Sequence, residues 1–174
     1  MAELRDFIRD VPGFPKPGIV FKDITPLIGN PAAFQETIAR IAEHFRNSGV
    51  QTVVAAEARG FIFGGAVAAA LGAGFVPLRK PGKLPWRTVT KTYDLEYGTD
   101  SLQVHADAVK PGATVLMLDD LLATGGTMAA ACELVEALGG QVAGCAFVIE
   151  LAFLHGRRKL AKYDVLSLIS YEGE

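Results

Sequence analysis

A chain of 174 residues fits a single domain. Half of its residues are hydrophobic and 21% are charged, which is enough to build a core and too apolar for a disordered segment. Its 17 basic and 19 acidic residues leave a formal charge of −2, which argues against a strongly basic nucleic-acid binder and leaves room only for a local basic patch. The start, MAELRDFIRD, is charged and lacks the apolar stretch of a signal peptide. No apolar run approaches the ~18–20 residues of a membrane span. Cys132 and Cys145 have no zinc-ligand spacing. The expectation is a soluble, reduced, cytoplasmic protein with no nucleic-acid and no membrane partner.

In chain order, Ala2–Arg9 reads as a short helix stopped by Val11-Pro12-Gly13, and VPGFPKPG reads as a structured loop. Ile19–Phe21 is a short apolar segment. Asn30-Pro31 opens a helix, with Asn30 as N-cap and proline at the first helical position. Phe34, Ile38, Ile41 and Phe45 then recur at helical spacing, and Gly49 ends the element.

An alternation follows. Thr52–Ala56 is a buried strand, Gly60–Leu71 a small-residue helix, and Phe75–Leu78 a strand. Two period-2 runs between Thr88 and His105 flank Gly98 and predict a hairpin. Thr114–Leu118 is a third strand, about Thr127–Leu138 a helix, and Val142–Ile149 a fourth strand. A short helix near Arg157–Ala161 and a strand over Val165–Ile169 complete the chain. Strand and helix in this order predict an α/β fold with a parallel sheet and crossover helices. Ligands of such sheets bind beyond the carboxyl ends of the strands, so the loops after Ala56, Leu78 and Leu118 carry the functional expectation.

The stretch VLMLDDLLATGGT, Val115–Thr127, is the most informative. A buried strand ends in Asp119 and Asp120. Ala123, Thr124, Gly125, Gly126 and Thr127 then open a helix. Glycines let the backbone fold around an anion, and free amides at a helix N-terminus point at it. The Gly-Lys-Ser/Thr of a nucleotide P-loop and the GxGxxG of a dinucleotide site are both missing. Two carboxylates beside a phosphate cradle suit a ligand that also offers hydroxyls or a divalent metal. A ribose 5-phosphate meets that description.

This stretch resembles the phosphoribosyl diphosphate (PRPP) signature of the type I phosphoribosyltransferases. In its specific form it is similar to the adenine phosphoribosyltransferases, in their short bacterial form. Three further segments carry the same likeness: Phe14–Ile24, Glu57–Gly64, and Arg79–Pro85 running on to Tyr93–Gly98. The likeness covers nearly the whole chain. It implies a single phosphoribosyltransferase domain, with about residues 1–30 as a small N-terminal hood and about 80–105 as a flexible catalytic loop. It implies transfer of the 5-phosphoribosyl group from PRPP to adenine with Mg²⁺, giving AMP and diphosphate in purine salvage. It also implies a homodimer. A transferase for a 6-oxopurine and a non-catalytic PRPP-binding regulator are the competing readings.

Site roles follow from the same likeness. Asp119 and Asp120 hold ribose hydroxyls, directly or through metal and water, and Ala123–Thr127 hold the 5-phosphate. Arg79, Lys80, Lys83, Arg87 and Lys91 supply a cation-rich loop, and preorganised cations stabilise a leaving diphosphate. The resemblance assigns Arg79, Lys80 and Lys83 to diphosphate, together with Arg59, and lets some loop cations reach across a dimer interface. Glu57 either orients Arg59 or a metal, or is an acid favoured by a helix N-terminus. Glu96 is the base-contacting carboxylate, suited to handle the purine proton, and Tyr97 lines the site. Val20, Phe21 and Lys22 form the hood over adenine. Phe21 or a neighbour stacks, and backbone groups of Val20 and Lys22 read the 6-position. Some relatives carry Arg at position 22, which matters little for a backbone contact and much for a side-chain one. His44, His105 and His155 are scattered, Cys132 and Cys145 read as core, Arg157–Lys159 as a solvated helix face, and Trp86 has no assigned role.

Overall fold

The computed structural model describes residues 3–94 and 98–173. A 3₁₀ turn over Leu4–Phe7 leads into strand β1 (Arg9–Pro12), strand β2 (Val20–Asp23) and the short helix α1 (Thr25–Gly29). Helix α2 (Pro31–Phe45), strand β3 (Thr52–Ala56), helix α3 (Gly60–Leu71) and strand β4 (Gly74–Leu78) follow. Strands β5 (Thr88–Asp94) and β6 (Thr99–His105) form an antiparallel hairpin. Strand β7 (Thr114–Leu122), helix α4 (Gly126–Ala137), strand β8 (Gln141–Leu151), two 3₁₀ turns over Ala152–Leu154 and Gly156–Leu160, and strand β9 (Asp164–Tyr171) end the chain.

Five strands form one parallel sheet in the order β4-β3-β7-β8-β9. Side chains alternate across a strand, so each strand feeds two cores. Val54, Val115 and Met117 face one core with Met128, Cys132 and Val135 of α4 and Leu102 and Val104 of the hairpin. Val53, Leu116 and Leu118 face the other, with Ile41 and Phe45 of α2 and Phe63 and Val67 of α3. Each large side chain buried this way contributes about 1.5–3 kcal/mol. Strands covered on both faces need continuous apolar sequence, which is why β7 reads Val-Leu-Met-Leu before its acids.

Several boundaries differ from the sequence expectation. Among the described residues no α-helix forms within the stretch expected to be helical, Ala2–Arg9. Residues 4–7 make a 3₁₀ turn, and Arg9–Pro12 pairs with β2 instead, where Pro12 sits on a two-stranded edge. Thr25–Gly29 is helical, with Pro26 in its first turn. Helix α2 has its expected Asn30 cap, whose Oδ1 accepts from Ala33 N at 3.0 Å, but ends at Phe45, and a turn fills the residues to Gly49. Strand β7 does not stop at Leu118. It runs through both acids to Leu122, because β8 offers partners from Phe147 to Glu150. Strands β8 and β9 extend beyond their apolar cores for the same reason. The cysteines are buried as expected, their Sγ atoms 3.7 Å apart.

Candidate active site

The carboxyl ends of β3, β4 and β7 are neighbours in the sheet, so the three loops singled out by sequence meet there. Asp119 and Asp120 lie within the last turns of β7 pairing, one on each face. Asp119 is half-buried against the start of α3. A Cβ on Gly60 would lie 2.8 Å from Asp119 Oδ1, so only glycine lets the two elements close. That same oxygen accepts from Asp120 N at 2.9 Å. Burial pushes the Asp119 carboxyl well above its usual range, and the Asp120 charge adds to the rise. Asp120 is only 5% exposed. Burial raises its pKa too, against the pull of Arg59.

Arg59 Nε lies 2.8 Å from Asp120 Oδ2. The contact is an ion pair without hydrogen-bond alignment, so this buried oxygen keeps a lone pair for a ligand. The Arg59 guanidinium also lies 5.2 Å over the Phe21 ring, which joins the hood strand β2 to the acids. Phe21 in turn meets Phe14 edge-on at 5.2 Å. Lys22 behaves differently. Its Nζ donates to Asp10 Oδ1 at 2.9 Å and lies 4.3 Å over the Tyr171 ring. Its side chain is 5% exposed and committed to this packing, so only its backbone is left to read a base.

Beyond Leu122 the chain turns into the cradle. Gly125 has φ +79° and caps α4, a conformation that L side chains rarely adopt. A Cβ there would also sit 2.4 Å from Gly156 O, so the turn over Gly156–Leu160 forms the rear wall of the cradle. A hollow of about 90 Å³ opens in front, lined among others by Asp119, Thr124, Gly126 and Thr127. The first amides of α4 have no partners within the helix and carry its positive end.

The cations divide into two groups. Arg79 Nε donates to Glu57 Oε2 at 2.7 Å, and Lys80 N donates to Glu57 Oε1 at 3.1 Å. Burial pushes Glu57 up, but these donors and the nearby Lys83 charge outweigh it and leave the carboxyl below its usual range. Glu57 therefore orients Arg79, not Arg59. Lys80 Nζ pairs with Asp100 of β6, which also accepts from Tyr93 Oη at 3.2 Å. Thr127 Oγ1 donates to the same Tyr93 Oη at 3.3 Å, which ties the hairpin to the cradle. Arg87 and Lys91 are drawn elsewhere: Arg87 stacks 4.7 Å over Trp86, and Lys91 pairs with Glu133 at 2.5 Å.

Glu96 and Tyr97 lie outside the described residues. Asp100 was not singled out from sequence, and Tyr93 entered only as the first residue of the Tyr93–Gly98 segment, with no role of its own. Nothing in their period-2 surroundings separated them from solvent-facing hairpin residues, although Asp100 could have been matched to the cation-rich loop by charge. Arg157, Arg158 and Lys159 are exposed as expected, on a 3₁₀ turn, but Arg157 is also tied to the sheet. Arg157 Nε lies 2.8 Å from each carboxylate oxygen of Glu150, which is 4% exposed, and Nη1 donates to Val165 O at 2.8 Å.

Comparison with known proteins places this arrangement. A family model described as phosphoribosyl transferase domain matches residues 27–172. Adenine phosphoribosyltransferase of Nitrosococcus oceani is 56% identical over 171 residues, covering 98% of this chain and 100% of its own length. The crystal structure of adenine phosphoribosyltransferase from Thermoanaerobacter pseudethanolicus superposes with a TM-score of 0.94 at 52% identity, covering 97% of this chain and 98% of that one. The Saccharomyces cerevisiae enzyme, complexed with an imino-altritol bisphosphate and adenine, gives 0.89 at 43% identity, covering 95% and 96%. With its parallel sheet, its paired acids and its glycine cradle, the chain belongs to the phosphoribosyltransferase family and, within it, to the adenine phosphoribosyltransferases.

Proposed function

We infer that this chain transfers the 5-phosphoribosyl group of PRPP to adenine, giving AMP and diphosphate, as its membership of the family implies. The observation that carries the residue assignment is the buried Asp119-Asp120 pair set between Arg59 and the glycine cradle. The cradle, Ala123 to Thr127, holds the 5-phosphate through the first amides of α4 and the hydroxyls of Thr124 and Thr127. Asp119 and Asp120 accept from ribose hydroxyls. A carboxylate of raised pKa gains from donors that replace the water it lost on burial.

Arg59, Arg79, Lys80 and Lys83 take the diphosphate. Its charge grows as the C1–O bond breaks, and cations fixed beforehand stabilise that growth without reorganising. Glu57 fixes Arg79. Lys80 exchanges Asp100 for phosphate oxygens, which links diphosphate binding to the hairpin. Phe21 stacks on adenine, and the backbone C=O and N–H of Val20 and Lys22 match the amine donor and ring acceptor at its 6-position. Glu96 accepts or returns the purine proton. About residues 1–30 act as the hood and about 80–105 as the closing loop, which excludes water from the reacting centre.

Mg²⁺ fits this site only together with substrate. Among the described residues no three His, Cys, Asp or Glu side chains converge on one point. Mg²⁺ is commonly held by one or two carboxylates plus phosphates. Asp119 and Asp120, with the buried lone pair on Asp120 Oδ2, can complete such a set around PRPP oxygens. The ion would supply charge neutralisation on the diphosphate. Among the described residues no helix is long and apolar enough to cross a membrane. The working unit is a homodimer in the cytoplasm, a two-fold pairing that lets loop cations serve a neighbouring site.

Incubation with PRPP, adenine and Mg²⁺ tests the reading. AMP and diphosphate should appear in equal amounts. Release of diphosphate without AMP, or no turnover by folded protein, would overturn it.

A further inference from the structure

One cation near the cradle has no part in the roles above. Lys159 sits in the 3₁₀ turn Gly156–Leu160, and its Nζ lies 3.6 Å from the point where a Cβ on Gly126 would be. Gly126 is the first residue of α4. The ammonium of this exposed lysine therefore stands at the positive end of the helix dipole, where a cation is unfavourable. Among the described residues Lys159 makes no ion pair, whereas the nearby Lys162 pairs with Glu136 at 2.9 Å. An anion held between the ammonium and the helix amides turns both positive groups into partners.

The turn is held in place. Glu150 lies on β8 directly beside Leu122, the last residue of β7 before the cradle. It grips Arg157 through both carboxylate oxygens. Arg157 follows Gly156, whose own Cβ position would fall 2.3 Å from Ala123 O and 3.1 Å from Gly125 N. The sheet thus sets Arg157, Arg157 sets Gly156 against the cradle, and two residues on stands Lys159. A bidentate pair of this kind fixes angle as well as distance.

We propose that Lys159 is a binding residue for the 5-phosphate of PRPP and AMP, delivered to the cradle by the Glu150–Arg157 brace. Glu150 and Arg157 are positioning residues. The proposal rests on the assignment of Ala123–Thr127 as the phosphate cradle, and its test separates the two.

AMP binding is measured by calorimetry on wild type, Lys159→Met, Lys159→Arg and Thr127→Val, with adenosine as the probe that lacks phosphate. Loss of one charge-assisted contact should weaken AMP about ten-fold in Lys159→Met, with a smaller loss in Lys159→Arg. Adenosine binding, the adenine KM and the melting temperature should stay at wild-type values. Arg157→Met should weaken AMP similarly, and adding it to Lys159→Met should cost little more, since both act through one contact. Wild-type AMP affinity in Lys159→Met, with affinity lost in Thr127→Val, overturns the Lys159 assignment and leaves the cradle standing. Wild-type affinity in both overturns the cradle assignment itself. Equal loss of AMP and adenosine in Lys159→Met shows a structural effect and also overturns the proposal.

Discussion

Asp120→Asn separates what a buried acid does for function from what it does for stability. Asp120 is 5% exposed, close to a second carboxylate, and in contact with one half-exposed arginine. Burial raises its pKa above the ordinary carboxylate value, so the folded state holds its proton more tightly than the unfolded chain does. Stability from this group is fully present below about pH 4, the unfolded value, and is lost as pH rises through the raised folded value. Burial penalises the ionised form of the acid, and a neutral amide of the same shape carries no such penalty. Arg59 loses its partner but is 40% exposed, so water replaces the carboxylate at little cost. A gain of about 1 kcal/mol is expected at neutral pH, in the range of other single stabilising changes. For a chain of this size it corresponds to about 2–4 °C in Tm. The gain should vanish near pH 4. Catalysis should move the other way. A carboxylate that accepts from ribose hydroxyls is lost, and kcat/KM should fall by about 10²-fold or more. Thermal melts at pH 4, 5.5 and 7, with steady-state kinetics at saturating Mg²⁺, measure both effects. Near-normal kcat/KM in the folded variant would refute the ligand role, and a pH-independent drop in Tm would refute the burial argument.

Gly125→Ala should lower Tm and raise the PRPP KM by about ten-fold or more, because the left-handed backbone and the Gly156 carbonyl 2.4 Å away both reject a Cβ; unchanged PRPP kinetics would contradict it. Glu96→Gln should lose about 10²–10⁴-fold in kcat with PRPP affinity intact, while Glu96→Leu should lose adenine binding as well. A fast Gln variant beside a slow Leu variant would mean that Glu96 positions the base without carrying its proton. Glu57→Gln should weaken diphosphate binding by roughly ten-fold by loosening Arg79, without changing AMP affinity; equal losses for both ligands would show general damage. Sedimentation at micromolar concentration should give a dimer, and full activity from a monomeric species would refute it.

The sheet was legible because its strands are buried on both faces. Val53-Val54-Ala55-Ala56 and Val115-Leu116-Met117-Leu118 cannot be solvated, and a small-residue or helical-period segment lies between most such runs. The cradle was legible because its chemistry is local: two acids, two threonines and two glycines within a few residues. Strand ends were not. Whether β7 continues past Leu118 depends on β8 offering ladder partners to Asp119 and Leu121, which no local window contains. The helix expected over Ala2–Arg9 was overstated: a 3₁₀ turn covers Leu4–Phe7, Ile8 is already extended, and pairing with β2 takes over from Arg9. The partners of the site acids and cations were hidden for a similar reason. Glu57 with Arg79, Lys80 with Asp100, and Glu150 with Arg157 join different elements, so charge could suggest such pairs and only the fold could choose among them.

Base selection tests the central claim most directly. In the proposed site the backbone of Val20 and Lys22 would read the 6-position of the purine, while the Lys22 side chain is held by Asp10 and Tyr171. A 6-oxo group in place of the amine leaves a buried acceptor without its donor, the kind of mismatch that hydrogen-bonding sites reject strongly. With PRPP and Mg²⁺ in excess, kcat/KM for adenine should exceed that for hypoxanthine by at least about 10³. Comparable values for the two bases would contradict the account.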